Sequence, residues 1–243
     1  MFSEKLFIRL RNTSSIAVLT GAGISAESGV PTFRGKDGLW NNKKVEELAT
    51  PEMMRKDPDQ FWKFYNDRRK NLTAVKPNLA HYALVDIERH YKDFTVITQN
   101  IDDLHRQAGT KNLIELHGNI YRDRCINCGH RQQPETGKRI CDKCKGPIRP
   151  DVVLFGENLD EKALRSAQEA AAQCEVFFSI GTSSVVEPAA SLPYLAKANG
   201  AYLVEINIED TPLSIQANET LKGTAGKILP QIAILVDKLF MRR

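Results

Sequence analysis

No apolar run in this 243-residue chain approaches the ~20 residues of a membrane-spanning helix. The first residues, Met1-Phe2-Ser3-Glu4-Lys5, lack the apolar core of a secretory signal. Both absences point to a cytoplasmic protein. Internal repeats and low-complexity tracts are also missing, which excludes solenoids and disordered linkers. Charge of one sign is scarce. The net charge is only +4, and it is unevenly placed. Residues 119–149 hold eight Lys/Arg against three acids, a surplus of five that leaves the rest of the chain at −1. That surplus is too small to argue for nucleic-acid binding, and it is expected as a solvated basic face.

What is present is an ordinary globular composition, 42% hydrophobic and 26% charged, long enough to bury a full core as one large or two small domains. Strand-like apolar runs at Ile16–Thr20, Phe94–Thr98, Leu113–Leu116, Val152–Leu154, Val176–Ile180 and Tyr202–Ile206 alternate with helix-like stretches. The helices are expected at Asp160–Cys174, Pro188–Asn199 and Ile228–Leu239. This alternation predicts an α/β fold built on a parallel sheet. Each run leads into a polar or glycine-containing segment, so these segments collect at the carboxyl edge of the sheet, where ligands bind. Residues 37–90, helix-rich, and 119–149, polar and cysteine-punctuated, do not fit the pattern. They are expected as a helical and a zinc-binding module inserted as a smaller domain, with 1–36, 91–118 and 150–243 forming the sheet domain.

The first βα turn is the most distinctive. Gly21-Ala22-Gly23-Ile24-Ser25-Ala26 fits the dinucleotide pattern of a glycine turn, a glycine that lets a diphosphate approach, and a small residue where a helix packs on the sheet. The stretch continues through Glu27-Ser28-Gly29-Val30-Pro31-Thr32-Phe33-Arg34-Gly35, too long for a plain turn and suited to folding over a nucleotide.

Cysteine is sparse, yet four of the five residues form Cys125-x-x-Cys128 and Cys141-x-x-Cys144, twelve residues apart. Two such pairs suit one tetrahedral zinc ion, structural because all four positions are filled. Cys174 is expected as a buried thiol. Among five histidines, His81 and His90 are expected to pack or lie at the surface, His105 to cap a helix or lie at the surface, and His130 to be idle beside a filled zinc site. His117 differs: it ends a strand, precedes Gly118, and shares the sheet edge with the glycine loop. A neutral imidazole there can act as a general base.

Taken together, Gly21–Ser25 through Phe33-Arg34-Gly35, Thr98-Gln99-Asn100-Ile101-Asp102, His117-Gly118, the cysteine pairs, Phe155-Gly156-Glu157, Gly181-Thr182-Ser183 and Glu205-Ile206-Asn207 resemble the sirtuin family, in sirtuin order and over nearly the whole chain. The resemblance implies a Rossmann-like domain with a smaller zinc-plus-helical domain, in a protein-lysine deacylase that consumes NAD as cosubstrate and carries one structural Zn. It implies cofactor contacts from Gly21, Ala22, Gly23, Ser25, Ala26, Phe33, Arg34, Trp40, Gln99, Asn100, Ile101, Asp102, Gly181, Thr182, Ser183, Asn207, Ile208, Glu209 and Ala225. In the implied reaction the acyl oxygen attacks the ribose carbon that bears nicotinamide. His117 then deprotonates a ribose hydroxyl, and the products are nicotinamide, free lysine and O-acyl-ADP-ribose. Phe33 shields the reactive carbon from water. The substrate, an acylated lysine in a protein or peptide, is implied to lie as an added strand between Val152–Glu157 and Ser184–Glu187, touching Val153, Phe155, Gly156, Glu157 and Val185. The short interval between the cysteine pairs departs from the family pattern and trims the zinc module.

One helix narrows the acyl group. At roughly 100° per residue over Gln60–Leu72, Phe61, Tyr65, Arg68 and Leu72 share an arc of about 60°, while Asp67, Arg69 and Lys70 fall outside it. Arg68 on an apolar stripe either snorkels, pairs with a core acid such as Asp86, or serves a ligand. Tyr65-x-x-Arg68 resembles the signature of sirtuins that remove succinyl and malonyl groups, which implies that both side chains bind the distal carboxylate. Ala49 leaves room for a larger acyl chain. Rival readings are a plain deacetylase, a mono-ADP-ribosyltransferase on the same NAD site, and a non-enzymatic NAD-sensing module.

Overall fold

The computed structural model describes residues 2–32 and 44–241. The chain opens with α1 (Glu4–Asn12), capped by the Ser3 hydroxyl on the Leu6 N–H, and β1 (Ser15–Thr20). Four helices follow in the first insertion: α2 (Lys44–Leu48), α3 (Pro51–Lys56), α4 (Pro58–Leu72) and α5 (Leu79–Glu88). Next come β2 (Asp93–Thr98), α6 (Leu104–Ala108) and β3 (Leu113–Glu115). The cysteine segment carries β4 (Gly118–Cys125), β5 (Arg131–Gln132) and β6 (Ile148–Val152). The remainder is α7 (Glu161–Gln173), β7 (Val176–Ile180), α8 (Leu192–Ala198), β8 (Tyr202–Asn207), β9 (Glu219–Lys222) and α9 (Ala225–Phe240).

Six parallel strands lie in the order β3-β2-β1-β7-β8-β9. Both faces of the sheet are covered, which is why its central strands read as unbroken apolar runs. Ile16, Val18, Val96, Phe178 and Val204 face α1, α5 and α9 through Leu10, Leu84, Ile87, Ile232 and Val236. Ala17, Leu19, Ile97, Phe177 and Leu203 face α7 and α8 through Ala167, Ala171, Leu192 and Ala196. A third core holds Phe61, Trp62, Tyr65 and Leu72 of α4 against Ile120, Ile148, Val152 and Leu154. Among the described residues, no helix is long and apolar enough to cross a membrane.

Three elements differ from the sequence expectation. The apolar run Val152–Leu154 does not join the parallel sheet. Its strand, β6, pairs antiparallel with β4 in a small sheet ordered β5-β4-β6. A short apolar run does not reveal its partner. β9 escaped notice because an edge strand reading Glu-Thr-Leu-Lys has little apolar content. The third is α5, which lies inside the range expected for the helical module. Its Ala80, Ala83, Leu84 and Ile87 nevertheless join the core of the large sheet.

Candidate active site

The carboxyl ends of β1, β2, β7 and β8 meet at the glycine loop. β1 does not lead directly into an α-helix. Two 3₁₀ turns, Ala22–Ile24 and Ala26–Ser28, stand there, and Gly29 at φ 87° ends the second. Ala26 is exposed, so the expected packing of that small residue against the sheet does not occur. The glycines answer to their neighbour: a Cβ on Gly23 would sit 2.7 Å from Gly181 Cα, and one on Gly21 would sit 2.7 Å from Gly181 O. Backbone thus packs on backbone, joined by the Gly23 N–H donating to Gly181 O at 2.9 Å.

A chain of hydrogen bonds fixes the next layer. Asn100 Nδ2 donates to Gly21 O and to Ser25 Oγ, each at 3.1 Å. Ser25 Oγ donates to Asp102 Oδ2 at 2.7 Å, and the Leu104 N–H donates to Asp102 Oδ1 at 3.0 Å. Burial raises the Asp102 pKa, opposed by those two donors. Asn100, Ile101 and Asp102 line one pocket with Ala22, Val30, Pro31, Leu72 and Arg68. The sequence placed Arg68 and Asp102 in different modules; the fold brings them to one cavity. Burial lowers the Arg68 pKa, while Tyr65 and Asp102 act in the opposite direction.

On the far side of the loop, Gln99 Nε2 donates to Thr182 Oγ1 at 3.0 Å, and Asn207 Nδ2 donates to Thr182 O at 2.8 Å. Ser183 is half-buried, Ile208 and Glu209 are exposed, and Ala225 is buried at the first turn of α9. The Gly223 N–H donates to Asn207 O at 3.0 Å, tying that end together. Phe33, Arg34 and Trp40 lie outside the described residues.

His117 Nδ1 lies 2.8 Å from the Gln99 carbonyl oxygen. A carbonyl only accepts, so Nδ1 carries the proton and Nε2 keeps its lone pair. Burial lowers the imidazole pKa, against the opposing pull of the Gln99 bond. The site therefore holds a neutral base with a fixed tautomer.

Beside it runs Val153–Glu157, with the Val153 N–H on His117 O at 2.9 Å, while Ser184–Glu187 follows Thr182, whose Oγ1 accepts from the Ser184 N–H. Phe155 and Val185 expose 38% and 41% of their surface. The Glu157 carboxylate is not turned outward. Arg149 holds both its oxygens.

Tyr65 is buried, packed on Phe61 and Phe64 with ring centroids 4.9 and 5.0 Å away. Burial pushes its hydroxyl pKa well up. Asp86 pairs with Arg89 at 2.9 Å in solvent, so it is not the buried acid suggested for Arg68. Arg69, expected outside the inward arc, docks on β4 instead. It reaches Ile120 O at 2.7 Å and Asp123 Oδ1 at 2.5 Å.

The four cysteine sulfurs lie within 4.8 Å of one another. Cys125 and Cys144 are 3.4 Å apart, and Cys128 and Cys141 are 3.8 Å apart. Zinc–sulfur bonds of about 2.3 Å require tetrahedral edges of about 3.8 Å, so the cluster suits one zinc ion.

Two features escaped the sequence. His105 is not a capping or surface residue: it is 2% exposed, with Nε2 2.9 Å from Thr20 Oγ1, which donates to Thr98 Oγ1 at 2.9 Å. Nor is the basic segment simply a solvated face. Arg122 pairs with Glu115, Arg131 with Asp151, and Arg149 with Glu157, all three acids lying just outside the counted window. Arginine on alternating strand positions next to isolated acids was the available signal.

Comparison with known proteins gives a consistent result. The model of the Sir2 family matches residues 21–188. An NAD-dependent protein deacylase of Pyrococcus furiosus is 49% identical over 242 residues, covering 96% of each chain. The solved complex of a Sir2 homologue with NAD is 42% identical with a TM-score of 0.90, covering 98% of this chain and 95% of that one. A Sir2 variant solved with a deacetylated p53 peptide and 3′-O-acetyl-ADP-ribose is 33% identical with a TM-score of 0.83, covering 98% of both chains.

Proposed function

The chain belongs to the Sir2 family of NAD-dependent protein deacylases, and we propose that it acts on protein lysines carrying succinyl and malonyl groups, and also acetyl groups. The observation that carries this acyl preference is Arg68. A guanidinium from the apolar stripe of α4 lines the same cavity as Asn100 and Asp102, one helical turn from the buried Tyr65 hydroxyl. An arginine and a phenol at i, i+3 on one buried helix face suit a carboxylate at the end of an acyl chain.

NAD supplies the ribose carbon that accepts the acyl oxygen as nicotinamide leaves. The residues divide the remaining work. Gly21, Ala22, Gly23 and Ser25 with Gly181, Thr182 and Ser183 offer the small, polar surface that a diphosphate and ribose need. Asn100, Ile101 and Asp102 form the end of that site next to Arg68. Asn207, Ile208, Glu209 and Ala225 border the other end. His117, through Nε2, takes a proton from a ribose hydroxyl, and its Nδ1–H stays on Gln99. Val153–Glu157 and Val185 flank an extended peptide, consistent with the peptide held by the Sir2 variant noted above. The four cysteines hold zinc away from this chemistry and stabilise β4 and β6, which lead into the peptide wall.

The proximity of Asp102 to Arg68 favours a second reading, a plain deacetylase in which Arg68 only balances that acid. Paired turnover separates the two. One peptide carries succinyl-lysine or acetyl-lysine, and nicotinamide and free lysine are followed together. Faster succinyl turnover supports the acyl pocket. Faster acetyl turnover returns Arg68 to the second reading, and nicotinamide release without lysine release points to ADP-ribosyl transfer.

A further inference from the structure

Behind the loop 153–157 stands an arginine that neither the zinc site nor the cofactor chemistry uses. Arg149 on β6 is 4% exposed. Its Nη1 and Nη2 donate to the two carboxylate oxygens of Glu157 at 2.5 and 2.6 Å, and Nη2 donates also to the Val152 carbonyl at 2.6 Å. Glu157 returns to the loop twice. Its Oε2 accepts from the Leu154 N–H at 2.9 Å, and its own N–H donates to Leu154 O at 3.0 Å. A planar fork that meets both oxygens and a carbonyl together is beyond a lysine, whose ammonium is a point charge.

The backbone tally of the loop follows from this clamp. The Val153 N–H donates to His117 O and the Phe155 N–H to Ala49 O, each at 2.9 Å. With Leu154 and Glu157, four of the five N–H groups from 153 to 157 are engaged inside the protein. A chain docking on this wall meets mainly carbonyl oxygens, and must bring its own N–H donors. Because Glu157 is matched in charge by Arg149, its carboxylate is not the group that greets a substrate side chain.

We propose that Arg149 is a positioning residue for the acyl-peptide substrate: by clamping Glu157 it sets the shape of the 153–157 wall, while the cofactor end of the site is held by other residues. The proposal rests on the deacylase reading, since that reading identifies the loop as a peptide wall.

The test compares wild type with R149K, R149M and E157Q. Initial rates give KM for the acyl peptide and for NAD, and calorimetry gives the affinity for ADP-ribose. R149K should raise the peptide KM about tenfold or more, with ADP-ribose affinity within twofold of wild type. E157Q, which keeps one carbonyl acceptor, should shift the peptide KM the same way but less. An N-methyl group on the peptide amide that docks against the wall should cost the wild type far more than it costs R149K. A purely structural arginine predicts otherwise: peptide and ADP-ribose affinity fall together. That outcome, or an unchanged peptide KM in folded R149K, overturns the proposal. If R149M does not fold, R149K and E157Q still decide it. Wild-type turnover of the peptide tests the deacylase reading by itself, and the ratio of variant to wild type tests Arg149.

Discussion

His117 donates its Nδ1 proton to the carbonyl oxygen of Gln99 across 2.8 Å, and Gln99 in turn donates its side-chain amide to Thr182. The His117 ring is thus oriented by the residue that also braces the loop at Thr182, and both belong to the proposed site. Replacing His117 by alanine leaves the glycine loop and Asn100 in place but removes the base. Lysine release should fall by about 10²–10⁴-fold. Nicotinamide exchange, which precedes the proton transfer in the proposed order, should fall much less. Parallel loss of both in a folded variant would show that His117 acts earlier than proposed.

The pH dependence follows from burial. The His117 imidazole is held below its ordinary value, so its active, neutral form predominates at neutral pH. The acid limb of kcat/KM should have its midpoint below about 6.5, the unperturbed value. A midpoint above 7 would contradict the burial argument.

In the proposed function, Arg68 is what discriminates between acyl groups. Arg68→Met keeps the apolar stem and removes the carboxylate partner. Succinyl-lysine turnover should weaken by about 2–4 kcal/mol in kcat/KM, with acetyl-lysine turnover largely kept. Tyr65→Phe should move the ratio in the same direction by less. Equal loss on both acyl groups would return Arg68 to a structural role beside Asp102.

Zinc should be present at one ion per chain, measurable by elemental analysis. A strong chelator, or Cys141→Ser, should loosen β4 and β6 and lower the melting temperature, with turnover lost through the peptide wall. Retained stability after complete zinc removal would show that the small sheet holds itself together.

Acid stability should be limited by two buried histidines. Burial brings His81 down to about 4 and holds His105 well below its ordinary value. In the unfolded chain both titrate near 6.5, so between about 6.5 and 4 the unfolded state binds protons that the native state refuses. Stability is fully present above that window and declines as pH falls through it, by roughly 3 kcal/mol from His81 alone. Burial raises Glu115 and Glu157, but Asn119 and Arg122 on the first and Arg149 on the second outweigh it and hold both below the usual carboxylate range, so they add their losses only at lower pH. Chemical denaturation at pH 7, 6, 5 and 4 would show the slope, and His81→Gln should flatten it.

The sequence by itself determined whatever depends on local pattern. Buried parallel strands need unbroken apolar runs, so β1, β2, β7 and β8 were legible within a residue or so. Two Cys-x-x-Cys knuckles encode a zinc site wherever they fold together, and His117 was marked by its place at a strand end. Contacts between distant segments were decided by tertiary structure alone. Nothing local to Gly23 announces that Gly181 occupies the space of its missing Cβ. The arc of α4 marked Arg68 as inward, but only the crossing of α4 against the 100–102 loop put it beside Asp102. Arg149 looked like one more charge on a basic face, and became a buried clamp because β6 leads straight into the loop that carries Glu157. Hydrophobic periodicity reports which side of an element is buried. It carries no record of the partner, and in this protein most of the candidate site is made of partners.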